Sequence, residues 1–286
     1  FGSRLKQRGR AGFPGRAPAS RPMTSLAQLQ KEFIGAQSPF DILALTLEHA
    51  SELDVVTAVT ALDSLSRHPR RKEVERDMRF AKLVFDINYM LHSGHRMFRP
   101  RELTRCALAF ASLGIKHPTM MYCIGLETVK KVYDFKASEL TSLMLAFALS
   151  GIQDRNMMEA VTAELTRRVG QCTPREVGEV SWALAILRFR SDLMMAAISD
   201  ATDSMLRDFS SVPLAQVIWC LDAFGHRTLS ALLLRNAVAA FPDAPRRDDM
   251  SEFLAAACIS GLAPAAWEDQ LDASFLQPLV GTLVRI

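Results

Sequence analysis

The residues whose types could support metal chemistry lie close together in one stretch. His92 and His95 are separated only by Ser-Gly, and Cys106 follows a little further along the chain. A structural zinc site needs a second close pair of His or Cys ligands, and this stretch supplies one pair. We therefore expect a polar loop here, with no metal site and no bound cofactor.

Nucleophilic catalysis is the next chemistry to consider. A cysteine acts as a nucleophile when a base and an orienting group stand beside it, and the sequence places neither next to Cys106. The glycines form neither a GxxxxGK[ST] loop nor a GxGxxG turn. We expect no enzyme activity and no small-molecule substrate.

The cysteines also bear on the compartment of the protein. Their number is odd and no pair has CxxC spacing, which argues against a disulfide framework and favours a reducing compartment. They are Cys106, Cys123, Cys172, Cys220 and Cys258.

Phosphate binding is the chemistry that the charge distribution does favour. Residues 1–22 carry six basic residues and no acid, and residues 67–82 and 96–105 have net charges of +4 and +3. Because the whole chain has a formal net charge of +3, the remaining residues are net acidic. Positive charge is concentrated in the first third of the chain, which predicts a polyanionic partner there.

The basic N-terminal segment, residues 1–22, allows three interpretations. Its Arg- and Ser-rich, acid-poor composition fits the remnant of an organelle transit peptide. Its cations also fit an RNA-binding arm, since Arg and Lys neutralise phosphates. A disordered tail is the third interpretation.

An internal repeat is the strongest signal in the sequence. The segments 99–115, 136–152 and 173–189 each begin 37 residues after the one before, and they align residue by residue. The aligned positions are Glu102, Glu139 and Glu176; Phe110, Phe147, Leu184 and Leu221; Gly114, Gly151 and Gly225, with Arg188 in the same register; and the Met pairs 120–121, 157–158 and 194–195.

Each unit is predicted to be helix–turn–helix. The apolar residues of the first helix recur at the i, i+3, i+4 and i+7 spacing of a buried stripe. Thr173 and Ser138 are expected to be N-caps, and Gly114 and Gly151 suit helix C-termini. The sequence therefore predicts an all-α protein, an α-solenoid of helix–turn–helix repeats with a 37-residue period.

Four segments follow from this pattern. Residues 1–22 form the basic tail, and residues 23–98 form an N-terminal cap and a divergent first repeat with a charged insertion around Arg70 to Met78. Residues 99–245 hold the regular repeats, and residues 246–286 form a divergent C-terminal repeat or cap.

Recurring large side chains have a packing interpretation. The Met-Met pairs could form a pliable binding stripe, but their strict repetition favours packing between helices. Trp182 and Trp219 are also 37 residues apart and are expected to belong to the repeat core.

The segment ELTSLMLAFALSGI, residues 139–152, resembles a known repeat class. It is similar to the heptatricopeptide and octatricopeptide repeats of organelle RNA-binding proteins, which occur in the RAP-domain and FASTK-like families. The resemblance covers roughly residues 52–263, without a visible RAP domain. It implies a helical RNA-binding solenoid of mitochondria or plastids, and the missing RAP domain favours a structural component of a ribonucleoprotein.

The expected function is accordingly that of an organellar RNA-associated protein, a structural component of a mitochondrial ribosome or similar assembly. The basic N-terminal part would bind rRNA phosphates, and the repeats would contact neighbouring proteins. The expected location is the mitochondrion, with the plastid as alternative, and no membrane span is expected. The alternative function is a protein–protein scaffold or accessory subunit of an organellar respiratory complex.

The candidate phosphate-binding residues come from the tail, the early basic segments and two recurring basic pairs. For the pairs 130–131 and 167–168, a phosphate-contacting ridge and solvated helix ends are equally favoured. The candidates are Arg4, Lys6, Arg8, Arg10, Arg16, Arg21, Arg67, Arg70, Arg71, Lys72, Arg99, Arg101, Lys130, Lys131, Arg167 and Arg168.

Overall fold

The structure, a computed structural model, describes residues 25–93, 98–230 and 232–233. The predicted tail, residues 1–22, and the predicted C-terminal unit, residues 246–286, lie outside the described residues. The described part is all-α and contains no strand. Its α-helices are α1 (Leu26–Gly35), α2 (Pro39–Glu48), α3 (Val55–Arg67), α4 (Met78–His92), α5 (Pro100–Leu113), α6 (Pro118–Lys131), α7 (Ala137–Ser150), α8 (Arg155–Arg168), α9 (Pro174–Ile186), α10 (Asp192–Ser204) and α11 (Ser211–Ala223).

The helices pack in two layers. Each odd-numbered helix contacts the next odd-numbered helix from α1 to α11, and we call these helices the odd layer. The even-numbered helices α2 to α10 contact one another in the same order and form the even layer. Within the described ranges, no helix has the length and apolar content needed to cross a bilayer.

The helix boundaries recur along the chain. The helices α5, α7, α9 and α11 begin at residues 100, 137, 174 and 211, which are steps of 37 residues. The helices α6, α8 and α10 begin at residues 118, 155 and 192, again in steps of 37 residues. Short 3-10 turns end these units at Val132–Asp134, Val169–Gln171 and Leu206–Asp208.

Three odd-layer helices begin with the same hydrogen bond. A glutamate in the first turn accepts from the backbone N–H of the N-cap residue, which satisfies a donor that the helix cannot pair. The donor and acceptor residues are Arg99 and Glu102 (3.1 Å), Lys136 and Glu139 (2.9 Å), and Thr173 and Glu176 (2.7 Å). The N-cap prediction is confirmed for Thr173 and wrong for Ser138, because α7 already begins at Ala137 and its N-cap is Lys136.

The predicted glycine positions end the odd-layer helices as expected. Gly114, Gly151 and Gly225 have φ angles of 71°, 64° and 81°. At each, the N–H of the next residue donates to the carbonyl five residues before it, as in a Schellman cap. Arg188 occupies the fourth aligned position with φ 51° and the same hydrogen bond, from Phe189 to Leu184.

Replacing Arg188 by glycine is expected to raise the free energy of unfolding by about 0.5–1 kcal/mol. A Cβ costs energy at positive φ, and glycine removes that cost while adding some unfolded-state entropy. Urea unfolding followed by circular dichroism measures the change. Arg190→Gly, nearby in the same loop without a positive φ, should give no gain; a loss of stability in Arg188→Gly would contradict the argument.

The core consists of the aligned apolar residues. Phe110, Phe147, Leu184 and Leu221 are fully buried, which confirms their predicted role. The three Met-Met pairs are also buried, so their packing interpretation is confirmed. Trp182 and Trp219 are partly buried and pack against this core.

Candidate nucleic-acid interface

A groove at the N-terminal end of the described chain gathers several arginines. It has a volume of about 590 Å³ and lies between α1, α2, α3 and α5. We call it the arginine groove, and its lining includes Phe33, Ile42, Asp63, Arg67, Arg101 and Arg105. Two of these, Arg67 and Arg101, are predicted site residues that the fold brings together from separate helices.

A buried carboxylate organises the arginine groove. Asp63 accepts from Arg67 at 3.1 Å through one oxygen, and from Arg105 at 2.7 and 3.1 Å through the other. Arg105 also reaches Thr60 Oγ1 at 3.4 Å. Because one carboxylate serves two guanidinium groups, the cluster keeps a net positive charge. Arg105 is held by three hydrogen bonds and is largely buried, whereas Arg67 has one hydrogen bond and an exposed side chain.

Arg101 adds an unopposed charge to this cluster. It lies one helical turn before Arg105 on α5, its side chain is exposed, and it forms no ion pair with any residue of the described ranges. Guanidinium groups at the rim suit phosphate oxygens. A volume within the usual range for ligand pockets leaves room for a base beside the phosphate, and Ile34, which is 73% exposed, offers the base an apolar contact.

The connection between α3 and α4 holds three more predicted cations. Arg70 forms a two-point ion pair with Glu73 at 2.6 and 2.8 Å, and this hydrogen bond lowers the pKa of the Glu73 carboxyl. Arg71 donates to the carbonyl of Ser112 at 3.2 Å, which ties the connection to α5. Lys72 is exposed. The charge of Arg70 is thus balanced locally, whereas that of Lys72 faces solvent.

The recurring basic pairs have structural partners. Lys130 and Lys131 each donate to Glu127 at 2.7 Å, and Lys131 also donates to the carbonyl of Phe98 at 3.1 Å. The hydrogen bond to Phe98 joins the end of α6 to the end of the preceding unit. The outer cation, Lys130, keeps an exposed side chain.

The same arrangement recurs 37 residues later. Arg167 and Arg168 both donate to Glu164, and Arg168 reaches the carbonyl of Phe135 at 2.8 Å. The hydrogen bond from Arg167 lowers the pKa of the Glu164 carboxyl. One member of each pair, Lys131 or Arg168, therefore joins its helix to the end of the preceding unit, and the phosphate-ridge interpretation stays a prediction for both pairs.

The remaining predicted cations differ in position. Arg99 is the exposed N-cap of α5 and lies beside Arg101 in sequence. The six predicted tail cations lie outside the described residues; they are Arg4, Lys6, Arg8, Arg10, Arg16 and Arg21. Sequence reasoning missed Arg105 and Asp63, although the four-residue spacings 63–67 and 101–105 place each pair on one helix face.

The cysteine and histidine residues that lie close together in the sequence are not the ones that lie close together in the structure. Cys106 is fully buried in α5, where burial raises the pKa of its thiol to about 12. His92 instead lies 3.1 Å from Cys123, and its other ring nitrogen contacts the carbonyl of Asn88 at 2.8 Å. His95 lies outside the described residues. Within the ranges that can be described, no three His, Cys, Asp or Glu residues are grouped for metal binding.

No protein-family model matches the chain, and a search of curated proteins finds no match either.

Proposed function

We propose that this chain is an RNA-associated helical-repeat protein of an organelle, a structural component of a mitochondrial ribosome or similar ribonucleoprotein. The arginine groove carries the proposal, because it joins guanidinium groups held by Asp63 to Arg101, which has no ion-pair partner among the described residues. The net positive tail, residues 1–22, would supply further phosphate contacts. No bond chemistry is involved; binding is electrostatic and geometric.

The architecture in this proposal is a solenoid with a 37-residue period, of the heptatricopeptide or octatricopeptide type. The recurrence of helix starts and the order of contacts within each layer support it. So do the shared Glu caps and the aligned positive φ angles. In such an array the repeats present their surface to neighbouring proteins, while the basic end contacts RNA.

RNA affinity across a salt series tests the function. Each phosphate contact on a single strand contributes a log–log slope of roughly −0.7, so Arg101→Gln and Arg67→Gln should each flatten the slope by roughly 0.7. If four to six tail residues bind phosphates, deletion of residues 1–22 should flatten it by roughly 3–4. Fluorescence anisotropy with a labelled single-stranded RNA gives these slopes.

The matched control is Arg155→Gln. Arg155 is exposed on α8 of the even layer, outside the arginine groove, and pairs with Glu159 at 2.8 Å. Its slope should equal that of the wild type. Equal slopes for the wild-type, Arg101→Gln and tail-deleted chains would overturn the RNA-binding proposal and favour the protein scaffold.

A further inference from the structure

An apolar surface outside the arginine groove lies on the even layer. On α6 and the turn after it, Tyr122, Leu126, Val129 and Tyr133 are spaced four, three and four residues apart, so they share one face. They are exposed by 55%, 39%, 38% and 75%. The adjacent helix α4 exposes Phe85 and Tyr89 by 65% and 66%, and we call these six residues the aromatic patch.

The two halves of the aromatic patch are continuous. The helices α4 and α6 contact each other, and the 3.1 Å approach of Cys123 to His92 joins them near one end. Tyr89 precedes His92 on α4 by three residues, and Tyr122 is the sequence neighbour of Cys123 on α6. The approach of His92 to Cys123 therefore brings the two halves of the patch together near Tyr89 and Tyr122.

The packing of the even layer does not require large apolar side chains at the exposed positions of the patch. The residues equivalent to Tyr122 and Leu126 on α8, 37 residues later, are Glu159 and Ala163, and both are exposed. An acid and a small residue at these positions are compatible with the same helix packing. The large apolar side chains of α4 and α6 therefore have a role outside the core.

We propose that the aromatic patch is the contact surface between two copies of this chain, related by a two-fold axis. With about 200 Å² for each aromatic side chain, its four aromatic residues leave roughly 500 Å² open to solvent. The largest apolar patch on a monomeric protein is roughly 300–600 Å², and such a patch is often functional. A standard interface buries about 800 Å² on each partner, which the patch and its rim can supply.

The charges at the rim favour a second copy. Lys82 pairs with Asp86 at 2.9 Å on α4, and Lys130 pairs with Glu127 at 2.7 Å on α6. Both signs stand on both helices, so a two-fold axis can place the lysines of one copy opposite the acids of the other.

The mass of the full chain in solution tests the proposal. Sedimentation velocity at micromolar concentration should give the mass of two chains for the wild type. Tyr122→Asp and Tyr89→Asp should each raise the dissociation constant by roughly 30-fold or more, as expected for an aromatic residue central to an interface. Both side chains are exposed, so neither variant should change the circular dichroism spectrum.

Leu193→Asp is the matched control, because Leu193 is 77% exposed on α10 and lies outside the aromatic patch. This variant should dimerise like the wild type. A wild-type chain that stays monomeric over the whole concentration range would overturn the proposal. So would a Tyr122→Asp chain that dimerises as tightly as the wild type, or a Leu193→Asp chain that loses the dimer.

Discussion

Replacing Phe147 by alanine is expected to lower the free energy of unfolding by about 3–5 kcal/mol. Its side chain is fully buried in α7, and α7 contacts both α5 and α9. The truncation would leave a cavity in the middle of the odd layer, where the neighbouring helices are held by their own contacts and cannot collapse into it. Denaturant unfolding of wild type and variant measures the difference.

The control for this prediction lies two residues away. Leu149 is on the same helix but is 43% exposed, so Leu149→Ala should cost at most about 1 kcal/mol. The aligned residue Phe110 has the same burial, and Phe110→Ala should resemble Phe147→Ala. Equal costs for Leu149→Ala and Phe147→Ala would show that the repeat has been aligned in the wrong register.

Replacing Gly178 by alanine is expected to destabilise the protein by about 1–3 kcal/mol. Glycine to alanine inside a helix normally stabilises by about 1 kcal/mol. Here a Cβ on α9 would lie 2.6 Å from the Cα of Pro213 and 2.7 Å from Gln216 Oε1, both on α11. Since Pro213 Cα is backbone, α9 and α11 would have to separate, and this cost exceeds the gain in helix propensity.

Gly35→Ala provides the opposite expectation. Gly35 ends α1, and a Cβ there would meet nothing within 4 Å, so alanine should stabilise by up to about 1 kcal/mol. The paired measurement is the difference in unfolding midpoint of the two variants from the wild type. A rise in stability for Gly178→Ala equal to that of Gly35→Ala would mean that α9 and α11 do not pack as closely as described.

The helices and their ends were largely predictable. Proline at the first helical position of α5 and α9, Glu in the first turn and glycine at the end act within one or two turns of chain. The exception at Ser138 has a local cause as well. The backbone of Lys136 is already paired with Glu139, so the helix begins before the serine and needs no hydroxyl cap.

The partners of the charged residues were much less predictable. The recurrence of the pairs 130–131 and 167–168 is visible in the sequence, as are the glutamates that precede them. That Arg168 also donates to the carbonyl of Phe135 is not visible, because those residues belong to different units. From the sequence, a phosphate-contacting ridge and solvated helix ends were equally favoured, and the hydrogen bond to the preceding unit was not predicted.

By itself, the amino-acid sequence determined the all-α class, the helix pairs, the buried positions and the concentration of positive charge in the first third. These properties follow from the spacing of apolar residues and from hydrogen bonds between residues a few positions apart. Only the tertiary structure decided which side chains meet across helices. Asp63 holds Arg105 from 42 residues away, His92 approaches Cys123 from 31 residues away, and the aromatic patch forms where α4 and α6 lie together. Such contacts depend on the angle and distance between packed helices, which no short window of sequence specifies.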